Sequence, residues 1–531
     1  MQAIYKKLYI FLFFGILFGN DIAFIESKPK GIPRDFYIYE YLEGSISPED
    51  AIKLYDLIDN KSAKIINRLK GKIPHSKLPR DLFCKELSFE ELIKSDDSCL
   101  KMGFKLSYAL DKKLDNEILT RLDDKRILNQ IKILQSKNIL DSMLKASGED
   151  FSDIYFALHH KQDIFNHSSK NIKLMSNKNY NKAIYHMVIS QKFPKFTKAL
   201  LSENITGVND WTFFALALNE LKSGNKNKAK KYFSQTAQVT KRQFLKDRAN
   251  FWQYKITQNK QFLNEIANSS FFNLYSLYST TKLGVSPKYD IITIDDPIFS
   301  ALGDKKSPFD IENPFEWQIL RQNIMLVKDK EALLSIAKLF YYKDTLPHLI
   351  FVLNRYYDFS KNFFVMPYYD GFDFDTPTKT LLYSVAKQES RFVPSVVSRS
   401  YALGMLQIMP FNVEYFAKDM GLENVTKDSM FSPNMALKFG AYYLNHLAKE
   451  FKHPLFVSYA YNGGPTFIRN FLKNPAVFSK KNKYDPWLSM EFIPYEESRI
   501  YGMKIMANYI IYNKIEGNII DIDSFLQETL R

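Results

Sequence analysis

The sequence contains few of the residues from which metal sites and disulfide frameworks are built. Its 531 residues include two cysteines and eight histidines. The histidines show no paired ligand spacing such as HExxH, so a metal site is not expected. The apolar run at residues 8–18 is too short for a comfortable membrane span. No cysteine lies near that run, which excludes a lipid anchor at this junction.

The first residues have the pattern of an export signal. Lys6 and Lys7 precede the apolar run, so residues 1–23 are predicted to be a signal peptide that directs the protein to the periplasm. Gly19 and Ala23 are candidate cleavage positions, although neither lies in a clean small-x-small pattern. An uncleaved signal, which would keep the protein at the membrane, is the alternative.

If the protein is exported, its two cysteines would be in a compartment where disulfides can form. In an oxidising compartment, Cys84 and Cys99 are candidates for a disulfide. Two isolated cysteines do not establish a bond, so the pairing is an expectation only.

Glycine and proline are scarce between residues 24 and 290, and apolar residues recur there at spacings of three and four. This pattern predicts an almost wholly helical region. One segment resembles a helix-pair repeat, with Gly224 at the turn and Ala229 where the two helices approach. No strict period is visible, so an ordinary helical bundle is the alternative. A chain of this length is too long for one core and indicates two or three domains.

Positive charge is concentrated in the same helical region. Residues 368–531 hold 18 Lys and Arg against 17 Asp and Glu, a balance of +1, so +14 of the total of +15 belongs to residues 1–367. A basic surface suggests a polyanionic partner. Nucleic acid is the common choice, but an exported protein rarely meets it. A lysine-rich sequence that has simply drifted basic explains the excess about as well.

A helix is predicted to begin at Thr376, which can serve as its cap, with Pro377 in the first turn. Glu389 falls four residues after Val385, on the apolar face and in the last turn. Burial and the negative end of the helix dipole both disfavour a charged carboxylate there. Glu389 is therefore a candidate general acid. The alternative is a helix-end glutamate whose carboxylate reaches water.

Three motifs follow in order within about 110 residues. The first joins Glu389 and Ser390 to Ser398, nine residues after Glu389, and to the run GMLQIMP at 404–410. The others are AYNGGP at 460–465 and IPYEESR at 493–499. Together they resemble the soluble lytic murein transglycosylases, relatives of goose-type lysozyme. Two apolar residues of the first run are swapped relative to the family, and Tyr401 stands where the family usually has glycine.

The resemblance implies a mainly α protein with three folded parts. Residues 24–290 would form an α-superhelical ring and residues 291–366 a small helical linker domain. Residues 367–531 would form a lysozyme-like catalytic domain. The acidic, aromatic stretch at 367–375 marks the last boundary, and its aromatics are expected to dock the linker domain rather than to line a sugar subsite.

The resemblance also assigns roles to residues of the catalytic part. Ser398 would hold the acetamido group of the substrate, and Tyr461 would donate a hydrogen bond to the catalytic carboxyl or to the substrate. Gln407 would bond a sugar or hold its loop. The remaining substrate-binding candidates are Met409, Asn462 and Glu497. For Met409 the alternative is a purely structural place in the core or the cleft wall. For Glu497 the alternative is a stabilising position in the first turn of a helix, where a negative charge is favourable.

The mechanism that the family implies needs one acid and no metal or organic cofactor, and residues 390–413 contain neither Asp nor Glu. Glu389 would protonate the glycosidic oxygen between N-acetylmuramic acid and N-acetylglucosamine, then accept the proton of the C6 hydroxyl as a 1,6-anhydro ring closes. Ordinary glycosidases use two carboxyl groups.

Two other classes of function remain open, a lysozyme-type hydrolase and a non-catalytic scaffold that binds the wall. The expected partner is peptidoglycan, whose stem peptides carry carboxylates. An anionic membrane surface is a second partner to consider. Nucleic acid is not expected as a partner, and the protein is expected to be a monomer.

Overall fold

The computed structural model describes residues 21–531, and the predicted signal peptide lies almost entirely outside these residues. Apart from two strands of three residues each, the regular elements of the described chain are helices, which confirms the prediction of a mainly α fold. No helix among residues 21–531 is long and apolar enough to cross a membrane.

The first part of the chain is a succession of helices, in agreement with the scarcity of glycine and proline. Consecutive helices pack against each other, as in stacked helical pairs. The α-helices are Ile22–Ser27, Ile32–Tyr41, Pro48–Leu57, Ala63–Lys70, Arg80–Glu86, Phe89–Leu92, Asp97–Gly103, Tyr108–Asp111, Asn116–Leu122, Lys125–Leu134, Ile139–Lys145, Gly148–Leu158, Gln162–Phe165, Asn181–Ser190, Pro194–Leu200, Asp210–Lys222, Lys226–Val239, Gln243–Thr257, Lys260–Ala267 and Leu274–Leu283. Short 3-10 turns lie at His75–Lys77, Ile172–Met175 and Lys178–Tyr180.

The predicted helix pair is formed by Asp210–Lys222 and Lys226–Val239. Gly224 lies in the turn with φ +86°, a conformation that glycine adopts without strain. Ala229 is fully buried where the two helices meet. The small side chain therefore sits where close packing requires it.

A disulfide joins Cys84 to Cys99. It links the helices Arg80–Glu86 and Asp97–Gly103, which also pack against each other.

Two short strands, Asp290–Ile292 and Lys361–Phe363, pair in parallel with Ile291 opposite Asn362. The sequence did not predict them, because three residues carry too little alternation to identify a strand. The chain between them forms the α-helices Pro314–Leu326, Lys330–Ala337 and Leu346–Tyr356 and the 3-10 turns Pro297–Phe299, Lys338–Phe340 and Lys343–Thr345.

The last part of the chain surrounds one helix, Thr376–Glu389, hereafter the catalytic helix. It packs against Glu496–Ile515, hereafter the long helix, and against Pro433–Phe451. Gly440 permits the second contact, since a Cβ there would lie 2.9 Å from Cδ1 of Leu382 on the catalytic helix. The other elements are the α-helices Pro410–Asp419, Pro454–Gly463, Pro465–Leu472, Trp487–Glu491 and Ile522–Gln527 and the 3-10 turn Lys427–Phe431.

A buried ion pair connects the helical part to the last part. The guanidinium of Arg248 pairs with Glu491, and each side chain is 1% exposed. Trp252 Nε1 and the Tyr275 hydroxyl also donate to this carboxylate, at 3.0 and 3.1 Å. Buried charges are stable only when they are paired and hydrogen-bonded, so this network fixes the junction closely.

Tyr401 forms a second junction. Its ring is fully buried, with its centroid 5.0 Å from that of Tyr39 and 6.2 Å from that of Phe36. Lys64 Nζ donates to the adjacent Ser400 carbonyl at 2.9 Å. Tyr401 has φ +64°, a strained value for a residue with a side chain, and burial of the ring against the N-terminal helices offsets that strain.

Candidate functional site

The catalytic helix begins one residue earlier than the sequence suggested. Asp375, not Thr376, is the cap, because its Oδ1 accepts from the Thr378 amide at 2.9 Å. Thr376 is the first helical residue. Aspartate is a strong capping residue, and the acidic stretch before the helix supplied it. The helix ends at Glu389, in the last turn as predicted.

The Glu389 carboxyl is partly buried at the end of this helix. Burial raises the pKa of Glu389 to about 7, and the negative charge of Glu497 raises it further, while a hydrogen bond from Tyr501 opposes both. A carboxyl with this pKa is protonated in a large fraction of molecules near neutral pH. It can therefore release a proton in one step and accept one in the next.

Tyr501 touches the carboxyl directly and was not among the residues predicted for the site. Its hydroxyl donates to Glu389 Oε1 at 2.6 Å. Tyr501 lies on the long helix, four residues after Glu497, so the two share one helix face. That spacing was the signal available in the sequence. The sequence analysis placed Glu497 in this helix but did not extend its face to Tyr501.

Tyr461 lies beside the site but bonds elsewhere. Its hydroxyl donates to the Leu406 carbonyl at 2.6 Å, not to the Glu389 carboxyl. Burial raises the pKa of Tyr461 well above its usual range, and the nearby charge of Glu389 adds to the shift. In this structure Tyr461 supports the loop that follows the catalytic helix.

The same loop is held by side chains that the sequence assigned to the substrate. Gln407 Nε2 donates to the carbonyls of Val396 at 3.2 Å and Gly404 at 2.7 Å. Of its two predicted roles, sugar binding and holding the loop, these bonds correspond to the second. Ser398 Oγ accepts from the Ala402 amide at 3.0 Å. Met409 is partly buried and precedes the helix Pro410–Asp419.

Gly404 is the fixed point of this loop. It has φ +72°, and a Cβ there would lie 1.9 Å from the Met430 carbonyl oxygen. The position therefore requires glycine for both conformation and close approach. Ser390 Oγ, just after the catalytic helix, bonds the Met405 carbonyl at 2.8 Å and closes the loop from the other side.

Comparison with known families gives a direct match for this region. Residues 375–484 match the transglycosylase SLT domain family. These residues are hereafter called the SLT domain after that match. The resemblance to the soluble lytic murein transglycosylases is confirmed for the SLT domain by its curated relatives.

The soluble lytic murein transglycosylase of Escherichia coli (strain K12) is 28% identical over 173 residues, which cover 32% of this chain and 26% of that protein. The protein of the same name from Salmonella typhimurium is 28% identical over 172 residues, 31% of this chain and 26% of its own length. A putative soluble lytic murein transglycosylase of Haemophilus influenzae is 27% identical over 154 residues, which cover 29% of this chain and 25% of that protein. The match thus spans about a quarter of these relatives.

Two solved structures resemble the chain more extensively but more distantly. An inactive mutant of the lytic transglycosylase Slt from Pseudomonas aeruginosa aligns with a TM-score of 0.48 and 14% identity, covering 92% of this chain and 83% of that one. The 70 kDa soluble lytic transglycosylase of Escherichia coli aligns with a TM-score of 0.48 and 14% identity, covering 96% and 84%.

The site extends beyond the SLT domain. Glu389 and Asn462 lie within the matched residues, whereas Glu497 and Tyr501 come from the long helix outside them. The two segments are joined by a bond from Ser498 Oγ to Asn462 Oδ1 at 2.6 Å. Glu497 is exposed and faces the site from the first turn of the long helix.

Proposed function

We propose that the protein is a lytic transglycosylase that cleaves peptidoglycan between N-acetylmuramic acid and N-acetylglucosamine and leaves a 1,6-anhydro ring. The observation that carries this proposal is the Glu389 carboxyl, whose pKa is about 7 because it is buried within an SLT domain. One acid that can both give and take a proton at neutral pH matches this chemistry.

In the first step Glu389 protonates the glycosidic oxygen, and the bond from that oxygen to C1 of N-acetylmuramic acid breaks. The acetamido carbonyl of the same sugar stabilises the positive charge that develops at C1. Glu389 is then a carboxylate, and the Tyr501 hydroxyl, 2.6 Å away, stabilises that charge.

In the second step the C6 hydroxyl oxygen bonds to C1 and its proton passes to Glu389. The carboxyl is thereby restored for the next cycle, and no water molecule is consumed. We assign the acetamido group to Ser398 and other sugar contacts to Met409, Asn462 and Glu497. Gln407 and Tyr461 act through the loop they hold.

Product mass tests the proposal. Muropeptides released from purified sacculi should each be one water lighter than the hydrolysed product. Products carrying that extra water would instead establish a lysozyme-type hydrolase. If the folded protein binds sacculi but releases no product, it is a non-catalytic scaffold.

Tyr501→Phe should move the pH profile in a defined direction. The first step needs protonated Glu389, so kcat/KM falls as pH rises through the pKa of this group. The Tyr501 hydrogen bond lowers that pKa, so its loss should raise the pKa and shift the falling limb to higher pH. Tyr495→Phe is the matched control, since Tyr495 is 60% exposed just before the same helix. A limb that stays in place or moves to lower pH would contradict the assignment of Tyr501.

We further propose that, in the periplasm, residues 24–366 bind the peptidoglycan wall and residues 367–531 catalyse its cleavage. The basic excess lies in the first part. Many weak contacts to an anionic polymer are screened within a Debye length of about 8–10 Å, so pelleting of the full chain with sacculi should weaken as salt rises. Binding that is independent of salt would show that charge does not hold the wall.

A further inference from the structure

A cavity of about 330 Å³ lies where the helical part meets the last part of the chain. The ends of the helices Asn181–Ser190 and Asp210–Lys222 form one wall. The end of the helix Pro465–Leu472 and residues from 474 to 494 form the other. Glu389 does not line this cavity, which is therefore separate from the catalytic carboxyl. Its volume lies at the lower end of the range for small-ligand sites, roughly 300–1,000 Å³.

The lining of this cavity contains one cation, Lys222, and no aspartate or glutamate. Lys222 Nζ donates to Gln191 Oε1 and lies 5.1 Å from the ring centroid of Phe492, and both of these residues also line the cavity. Within residues 21–531, the ammonium has no carboxylate within 4.0 Å. The described chain therefore leaves the positive charge of the cavity without a counter-ion.

Two asparagines of the opposite wall offer donors rather than acceptors. Asn470 Oδ1 accepts from Lys473 Nζ at 3.0 Å, and Asn474 Oδ1 accepts from the Ala476 amide at 3.0 Å. In the part of the chain that the structure describes, neither side chain donates its Nδ2 hydrogens to another residue. A ligand in this cavity therefore finds an ammonium and two amide groups as donors, and it needs acceptors of its own.

This set of donors favours a carboxylate over a sugar. A carboxylate only accepts hydrogen bonds and carries the opposite charge, whereas a sugar hydroxyl is neutral and also needs an acceptor. Apolar side chains of the same lining, among them Phe471, Val477 and Leu488, provide contacts for a short apolar group beside the carboxylate. The end of a peptide combines these two features.

We propose that the cavity binds the carboxylate end of a peptidoglycan stem peptide, with Lys222, Asn470 and Asn474 as its donors. The inference rests on the proposed function, which makes peptidoglycan the substrate. Stems recur along a glycan strand, so a stem other than that of the reacting sugar can occupy a cavity away from Glu389. Since the two walls belong to different parts of the chain, an occupied cavity also stabilises their contact.

The test is calorimetric titration of the full chain with stem peptides freed from their glycan. The ligands are stems with free carboxylates, the same stems with amidated carboxylates, and acetate. We expect the wild type to bind only the free stems, and Lys222→Gln and Asn470→Asp each to weaken this binding tenfold or more, roughly the effect of one charge-assisted hydrogen bond. Asn470→Asp keeps the oxygen that Lys473 uses but replaces the donor with a repelling oxygen.

Lys230→Gln is the matched control, because Lys230 is exposed on the helix Lys226–Val239 and does not line the cavity. All three substitutions lower the net charge by one, yet this variant should bind free stems like the wild type. Equal affinities of Lys222→Gln and Lys230→Gln, or equal binding of amidated stems or acetate by the wild type, would overturn the site. Thermal unfolding checks the fold of each variant, and since Lys222 and Asn470 lie on opposite walls, either substitution alone tests the proposal.

Product release from sacculi, measured in parallel, separates this inference from the proposed function. A protein that releases anhydro product but binds no free stems would overturn the site alone. A protein that binds free stems as expected but releases no anhydro product would overturn the proposed function alone.

Discussion

Glu389→Gln should abolish the release of anhydro-muropeptides while the fold stays intact. The amide has nearly the same shape as the carboxyl but cannot deliver a proton to the glycosidic oxygen. Loss of a general acid alone lowers turnover by roughly 10²–10⁴-fold, and here the same group also serves as the base. The measurement is turnover on purified sacculi, together with the thermal unfolding curve.

The fold should tolerate this change, because a neutral amide avoids the cost of burying a charge at the helix end. The control is Glu414→Gln, an exposed glutamate on the helix Pro410–Asp419 within the SLT domain. It should cleave like the wild type. Near-wild-type turnover in folded Glu389→Gln would refute the assignment of the catalytic residue.

Glu491→Ala should destabilise the protein by about 3–5 kcal/mol, the usual cost of leaving one member of a buried ion pair unpaired. Arg248, which is 1% exposed in the wild-type structure, would lose the carboxylate that it shares with Trp252 and Tyr275. The shift should appear in the denaturant concentration at which the junction unfolds.

Two comparisons sharpen this experiment. Glu450→Ala removes an exposed pair with Arg469 and should leave the stability close to that of the wild type. The double variant Arg248→Met with Glu491→Leu should recover part of the loss, because it leaves no uncompensated charge, while the Trp252 and Tyr275 donors stay without an acceptor. A single variant as stable as the wild type would mean that water reaches Arg248 at this junction.

The sequence placed Glu389 correctly in the last turn of its helix, because helical spacing is local information. Val385 and Glu389 are four residues apart, and a periodic pattern places them on one face whatever surrounds the helix. Even the error at its start was one residue, since Asp375 and Thr376 are both good caps. The helix pair around Gly224 was predictable for the same reason.

Contacts between distant segments could not be obtained in this way. Tyr501 reaches Glu389 across 112 residues of chain, and helical spacing could place it beside Glu497 but not against the carboxyl. Tyr461 was expected beside the carboxyl, but whether its hydroxyl bonds Glu389 or Leu406 depends on the fold of the loop. The unusual residue at 401 was visible as a departure from the family, yet its partners lie more than 350 residues away.

Those partners have a consequence for how the sequence can change over time. Phe36, Tyr39 and Tyr401 pack against one another, and the φ of +64° at Tyr401 is tolerated only while this packing offsets the backbone strain. A glycine at 401 would remove both the strain and the ring. We therefore expect the three positions to co-evolve, with aromatic residues at 36 and 39 accompanying a large residue at 401. Where a relative has glycine at that position, its N-terminal helices should be free to diverge there.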